Sequence, residues 1–391
     1  MQRLAGDRLT LGLLFGVFGF TQGAWAARIP WVAGALHLSP GALGLALLGP
    51  AVGGLLAMPA APPVLLRWGT RRTAAVAVVA LGAALALPAW SPSLAVLVVT
   101  LTVFGFAVGM LDVAANAHGV AVEEARGRPT MSGLHGGWSL GGLTGAATGG
   151  LAAHAGIPAP VHLTAAGVAT GLAGLVLARR LHRAPVPRET GPVFAVPSRT
   201  TLLLGLVGFA SMFAEAGVAD WSAVFLTTSR GAGPGLAAAG YATFSVCMAA
   251  GRLTGDAVVH RFGRRRVLIG SAVVSATGLL LAVAAPSAAG SVAGFAAAGL
   301  GTACIVPLVF STAGSAESGP ARAHAVAAVV TTSYLGWLMA PAAIGGVAQA
   351  TTVGSGLALT GVLTGAAAVL AATARVRIGA PAEVPALPRT R

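Results

Sequence analysis

The chain of 391 residues contains no lysine, only ten acidic residues and only two cysteines. Charged residues make up 9%, against about 25% in soluble domains. Hydrophobic residues make up 56%, and the mean hydropathy is +0.84. A water-soluble fold of this length has nowhere to hide that much apolar surface, so the scarcity of charge excludes one and points to a lipid bilayer. Cys247 and Cys304 both fall in apolar runs, without the spacing of a disulfide framework or a metal site. There is no phosphate-binding loop, no Gly-x-Ser-x-Gly elbow and no His-Glu-x-x-His helix. Direct use of ATP and catalysis are therefore not expected, nor is any cofactor or metal.

What is present in excess is arginine. The net charge is +14 and the isoelectric point about 11.8. Alone, that balance would fit nucleic-acid binding. The 24 arginines, however, gather in short clusters between apolar runs, which is the signature of membrane topology, and no nucleic-acid partner is expected. Twelve runs are long enough to cross a bilayer, at about 9–35, 40–64, 73–90, 93–118, 130–154, 158–181, 200–226, 236–259, 266–285, 288–314, 322–350 and 352–375. The first follows Arg3 and Arg8 as a signal peptide would, but it is too long for one and reads as an uncleaved helix.

Alternate loops differ in charge. One set carries Arg67, Arg71 and Arg72, then Arg126 and Arg128, then the group from Arg179 to Arg199, then Arg261 and Arg264 to Arg266, then Arg322. The other set carries Arg230 alone. Both termini join the arginine-rich side, which leaves Arg28, Arg230 and Arg252 off it. Basic loops stay in the cytoplasm, so both termini are expected there. Heavy use of Ala, Gly and Arg without Lys fits a bacterial source and hence an inner-membrane location.

The chain also repeats itself. Arg67-Trp68-Gly69-Thr70-Arg71-Arg72 returns as Arg261-Phe262-Gly263-Arg264-Arg265-Arg266, an offset of 263 − 69 = 194 residues. At that offset Gly23 meets Gly217 and Gly105 meets Gly299. The expectation is an all-α polytopic protein of two pseudo-symmetric six-helix bundles, residues 1–182 and 200–376. A proline-bearing cytoplasmic linker at 183–199 would join them, and a cytoplasmic tail would follow at 377–391.

This layout resembles the major facilitator superfamily, whose loop between helices 2 and 3 reads roughly Gly-x-x-x-Asp-Arg-x-Gly-Arg-Arg and is echoed between helices 8 and 9. The second copy here is fuller: Gly251-Arg252-Leu253-Thr254-Gly255-Asp256, then Arg261-Phe262-Gly263-Arg264-Arg265. The first keeps Arg67, Gly69, Arg71 and Arg72 but has Leu66 at the acidic position. In the fourth run, Leu111-Asp112-Val113-Ala114-Ala115-Asn116 is similar to the acid-x-Ala-Ala-Asn segment of the fucose-permease-like branch, where the acid couples protons. Arg28 stands in the first run where sugar permeases tend to have an acid. The fifth run lacks the proline-containing glycine motif of drug–proton antiporters.

Four acids fall in or at the ends of apolar runs: Asp112, Glu215, Asp220 and Asp256. An acid at mid-membrane costs about 2.5–3.5 kcal/mol on insertion scales, so it normally faces an aqueous cavity or a partner. Asp112 shares a helical stripe with Gly105, Gly109 and Asn116, which fits a coupling or substrate-binding carboxyl, or one half of a fixed ion pair with Arg28. Arg28, on a face with Thr21 and Trp25, reads either as that partner, as an anion ligand, or as a side chain snorkelling to the outer surface. Glu215, on a stripe with Ser211 and Ser222, is a cavity candidate, while Asp220 beside Trp221 is placed near the outer interface. Gln22, Trp25, Tyr334 and Trp337 are candidate cavity walls, or else lipid-facing side chains. His135 is a candidate cavity donor or relay, or an interface histidine. It lies beside a ladder of glycines, Gly133, Gly137, Gly141, Gly145 and Gly149, that permits close helix approach.

By resemblance, Arg67, Gly69, Arg71, Arg252, Asp256, Arg261, Gly263, Arg264 and Arg265 form a cytoplasmic charge cluster that latches one conformation, with Arg252 and Asp256 spaced i, i+4. The alternative is static surface bridges. The expected activity is secondary transport of a small polar solute, with a sugar or sugar-like metabolite as the leading class, by alternating access and coupled to protons. Proton-antiport export of a metabolite or drug is the second reading, and a non-transporting membrane receptor the third. The partners expected are the solute, protons and the bilayer, with the chain acting as a monomer.

Overall fold

A computed structural model describes residues 4, 6–127, 130–185, 198–316 and 320–373. Most of the expected linker and the whole 377–391 tail lie outside the described residues. Regular structure among the described residues is helical throughout, without strands. In the first half of the chain lie α1 (Arg8–Ala26), α2 (Ile29–Ala35), α3 (Pro40–Ala86), α4 (Leu94–Arg126), α5 (Met131–His154) and α6 (Ala159–Arg180). In the second lie α7 (Arg199–Arg230), α8 (Pro234–Phe262), α9 (Arg264–Ala284), α10 (Ala288–Thr302), α11 (Ile305–Ala316), α12 (Pro320–Ala350) and α13 (Val353–Thr373).

The ends of these helices follow local chemistry. Ser39, Ser93, Ser198 and Ser287 each accept a hydrogen bond from a backbone N–H of the first turn of α3, α4, α7 and α10. Gly127 and Gly231 close α4 and α7 in the left-handed conformation. Glu123, expected as a loop acid, instead accepts from the backbone N–H groups of Thr130 (2.6 Å) and Met131 (3.0 Å), where α5 begins and its N–H groups lack helical partners.

Among the described residues, ten helical stretches are long and apolar enough to cross a membrane, against twelve runs in the sequence. The difference arises at two places. Pro40–Trp90 counts as one stretch of 51 residues, although Gly69 interrupts its helical geometry with φ 75° and ψ 164°. The glycine-rich α5, which also carries His135, His154 and several hydroxyls, is not among the ten. Conversely, the first stretch, Arg8–Ala35, is broken between α1 and α2 at Ala27–Arg28.

The internal repeat is visible in three dimensions. Gly263 has φ 81° and ψ 149°, almost the conformation of Gly69 one repeat earlier. Arg71 donates to the carbonyl of Arg179 at the end of α6 (2.6 Å), and Arg265 donates to the carbonyl of Ala372 at the end of α13 (2.5 Å). Each guanidinium thus sits at the negative end of a helix dipole, where the terminal carbonyls lack partners. Gly105 packs directly on the backbone of Pro50 and Gly299 on that of Phe244, again one repeat apart.

The halves of the chain touch mainly through two pairs of helices, α3 with α12 and α5 with α8, with smaller contacts from α1 and α2 to α7 and α8. The 194-residue shift carries 40–68 onto 234–262 and 131–154 onto 325–348, so one contact is the copy of the other. Both form at the arginine-poor end. Gly41 N–H donates to Gln349 Oε1 (3.1 Å), and a Cβ on Gly44 would lie 2.9 Å from the Cα of Gly345. A Cβ on Gly150 would lie 2.7 Å from that of Ala238.

The shared backbone of Gly69 and Gly263 gives a first prediction. Positive φ with extended ψ belongs almost wholly to glycine and costs other residues of order 1–3 kcal/mol. Gly69→Ala and Gly263→Ala each lower the apparent melting temperature of the purified protein, whereas Gly34→Ala, with open space around it and ordinary φ, leaves it unchanged. Equal melting of all three variants refutes the strain assignment.

Candidate functional site

Asp112 lies mid-way along α4, half-buried, with Asn116 one turn later. Asn116 Nδ2 donates to Asp112 Oδ1 (2.8 Å) and to the Asp112 carbonyl (2.9 Å), which fixes the carboxyl against its own helix. No ion pair with Arg28 forms. Arg28 is buried at the arginine-poor end of the first half, where Nη2 donates to the Ile157 carbonyl and Nε lies 3.3 Å from His162 Nδ1. It ties the break between α1 and α2 to the start of α6 and does not snorkel to the surface.

His135 of α5 lies within electrostatic reach of Asp112. His135 Nδ1 donates to the Met131 carbonyl (3.1 Å), and its ring packs 5.3 Å from that of Phe15. From the other half, Tyr334 of α12 lies within electrostatic reach of both Asp112 and Glu215 and is 45% exposed. Beside His135, a Cβ on Gly136 would meet nothing within 4 Å. Through Tyr334, Asp112 of the first half and Glu215 of the second come within electrostatic reach of one side chain.

Glu215 is buried in α7, and Arg252 Nη2 of α8 lies 3.7 Å from its Oε2. The arginine that the sequence pairs with Asp256 four residues on thus reaches a different helix. The side chain of Asp256 lies outside the described residues. Of the other cluster members, Arg67 and Arg261 are exposed, Arg261 lies over the Phe262 ring at 5.6 Å, and Arg264 is half-buried.

Toward the arginine-poor end a small cavity of about 30 Å³ lies where the halves meet. Gln22, Trp25 and Trp138 line it from the first half, and Asp220, Tyr241 and Trp337 from the second. Gln22, Trp25 and Trp337 were expected at a cavity wall. Asp220, expected near the outer interface beside Trp221, lines this cavity toward the arginine-poor end, and Trp221 is fully buried.

A second cluster was missed altogether. Asp7 is buried just before α1. His182 donates to it from Nδ1 (2.7 Å) and from its backbone N–H (2.7 Å), and His118 Nε2 lies 3.2 Å from Oδ2. His118 Nδ1 in turn lies 2.9 Å from the hydroxyl of Thr70. One carboxylate so joins the N-terminus, the turn after Gly69, α4 and the chain leaving α6. Asp7→Ala leaves the buried His118 ring without that partner, which costs about 1–3 kcal/mol. A lower apparent melting temperature than that of Glu124→Ala is expected; equal values refute the bracing role.

An all-helical chain with ten membrane-length helices and a charged, aromatic-walled space between its halves has the anatomy of a membrane transporter. The comparisons with known proteins agree. The model of the Major Facilitator Superfamily matches residues 10–242 and 204–389. An uncharacterised MFS-type transporter of Yersinia pestis is 37% identical over 88% of this chain and 89% of its own. Membrane protein MosC of Rhizobium meliloti is 31% identical over 90% and 87%. Among solved structures, a bacterial homologue of the human lysosomal transporter Spinster, inward-facing and occupied, superposes with a TM-score of 0.77 at 15% identity, covering 93% of this chain and 95% of its own. The nucleoside transporter NupG gives 0.69 at 16% identity, covering 93% and 97%. The chain belongs to the major facilitator superfamily, a family of membrane transporters and not of enzymes.

Proposed function

We propose that this protein carries a small polar solute across the bacterial inner membrane by alternating access, coupled to protons through Asp112. The observation that carries the reading is a half-buried carboxyl midway along α4, held by Asn116, with His135 of α5 and Tyr334 of the other half within electrostatic reach. A carboxyl so placed can take up and release a proton as its access to water changes.

The architecture that fits is two six-helix bundles with twelve spans. The Gly69 break divides α3 into two crossings, and α1–α2 and α10–α11 each make one. The arginine-rich end is assigned to the cytoplasm, since basic loops stay inside. With the halves joined at the other end, this form is the inward-open one. The paired helix caps made by Arg71 and Arg265 belong to the expected cytoplasmic cluster and hold the loops next to their helices while the bundles rock. The fucose-permease-like segment at Asp112 keeps a sugar-like metabolite among the solutes to test, in either direction of transport.

The test uses purified protein in liposomes with a pH dye trapped inside and a panel of sugars and small metabolites added outside. The reading predicts that at least one solute drives proton movement in wild type. Uptake without proton movement overturns the coupling and leaves a facilitator, and no uptake of any solute overturns the assignment to polar metabolites.

A further inference from the structure

The acid that the coupling scheme leaves unused is Asp220. It faces the small cavity between the halves, and it makes no hydrogen bond or ion pair to any described residue. A carboxylate left alone at membrane depth costs of order 2.5–3.5 kcal/mol, so it either takes up a proton or is met by a counterpart, which a cationic solute group supplies. Arg252, the cation on the adjoining face of α8, is already paired with Glu215. The remaining walls are rings: Trp25, Trp138, Tyr241 and Trp337, with Gln22 as a further polar group. Ring faces attract cations electrostatically, and an acid within a set of indoles and phenols is the usual composition of an ammonium site.

We infer that Asp220 with Trp25, Trp138, Tyr241 and Trp337 forms a binding site for the ammonium group of an amine-bearing solute. The volume agrees. A cavity of about 30 Å³ admits a group the size of one water, which is also the size of an ammonium head. A hydroxyl would fill the same space but leave the carboxylate without a countercharge. Both halves supply walls, so an ammonium held there draws them together at the arginine-poor end, where they meet in this structure. The inference rests on the transport reading above and adds the chemical class of its solute.

Binding is read by tryptophan fluorescence on the purified full chain, because three of the wall residues report directly. The probes are two matched pairs, glucosamine with glucose and cyclohexylamine with cyclohexanol. At pH 7 at least one amine should bind at least tenfold more tightly than its neutral twin, and Asp220→Asn should abolish that difference. Asp220→Glu, which keeps the charge, should restore part of it. Should the Asn variant fail to fold, the Glu variant and Trp337→Leu carry the test, with amine affinity retained in the first and weakened at least threefold in the second. The inference is overturned if no probe amine binds wild type, if amine and neutral twin bind alike, or if removing the charge or the ring changes nothing. Amine binding that depends on Asp220 but moves no protons in liposomes sinks the coupling role of Asp112 and leaves the ammonium site standing. Proton-coupled uptake of a neutral sugar, unaffected by Asp220→Asn, does the reverse.

Discussion

Asp112→Asn abolishes pH-driven accumulation of the transported solute while leaving solute exchange intact. Each pH unit across the membrane is worth about 1.4 kcal/mol per coupled proton, or tenfold in solute ratio. A gradient of two units can therefore sustain a ratio of about 100 in a wild-type protein coupled to one proton. The Asn variant has nothing at that position to protonate, and its ratio falls to about 1. Asparagine matches the shape of the carboxyl and keeps an oxygen to accept the amide of Asn116, now 2.8 Å from Oδ1, so the helix and the space beside it are preserved. Exchange of labelled for unlabelled solute, which needs the bundles to rock but no net proton movement, separates loss of coupling from loss of the protein. A variant that still accumulates solute against a pH gradient removes Asp112 from the mechanism. One that loses exchange as well makes Asp112 a binding group.

Much of this architecture was legible in the sequence because a bilayer demands long apolar runs and because the repeat is written in glycines and arginines. Gly69 and Gly263 share a conformation only glycine tolerates, and Arg71 and Arg265 reach equivalent carbonyls, so the same short motif had to recur. Within the site, legibility followed helical spacing. Asp112 and Asn116 are one turn apart on a single helix, and their contact could be read directly. Partners on other helices could not. Arg252 has an acid four residues on, yet it reaches Glu215, 37 positions earlier on α7. Arg28 meets Ile157 and His162 rather than Asp112, and Asp7 gathers His118 and His182 from 111 and 175 positions away. The surroundings of Asp220 and Trp221 are likewise set by helices packed against α7, which no local pattern records.

The joint between the halves carries the other large effect. At the arginine-poor end α3 and α12 meet backbone to backbone: a Cβ on Gly345 would lie 2.8 Å from both the Gly44 Cα and the Pro40 carbonyl, and a Cβ on Gly44 would lie 2.7 Å from the Pro341 carbonyl. No rotamer relieves a clash made by Cβ itself with main-chain atoms, so the helices must separate. Overpacking of a fixed core costs about 1–3 kcal/mol. Under the proposed alternating access, though, a second arrangement holds these helices apart, and the cost falls only on the closed one. Moving a two-state equilibrium from 1:99 to 99:1 takes about 5.5 kcal/mol. Gly44→Leu and Gly345→Leu together, at two faces of one joint, are expected to supply most of that. The double variant should fold, open at the arginine-poor end, and lose transport by at least about 100-fold. Distances between spin labels on the tips of α3 and α12 should lengthen in the variant, while those between the tips of α3 and α4 in the same half stay fixed. Unchanged α3–α12 distances would show that the joint absorbs the side chains without opening. Leu at Gly346, where a Cβ meets nothing within 4 Å, serves as the control on the same helix and should transport normally.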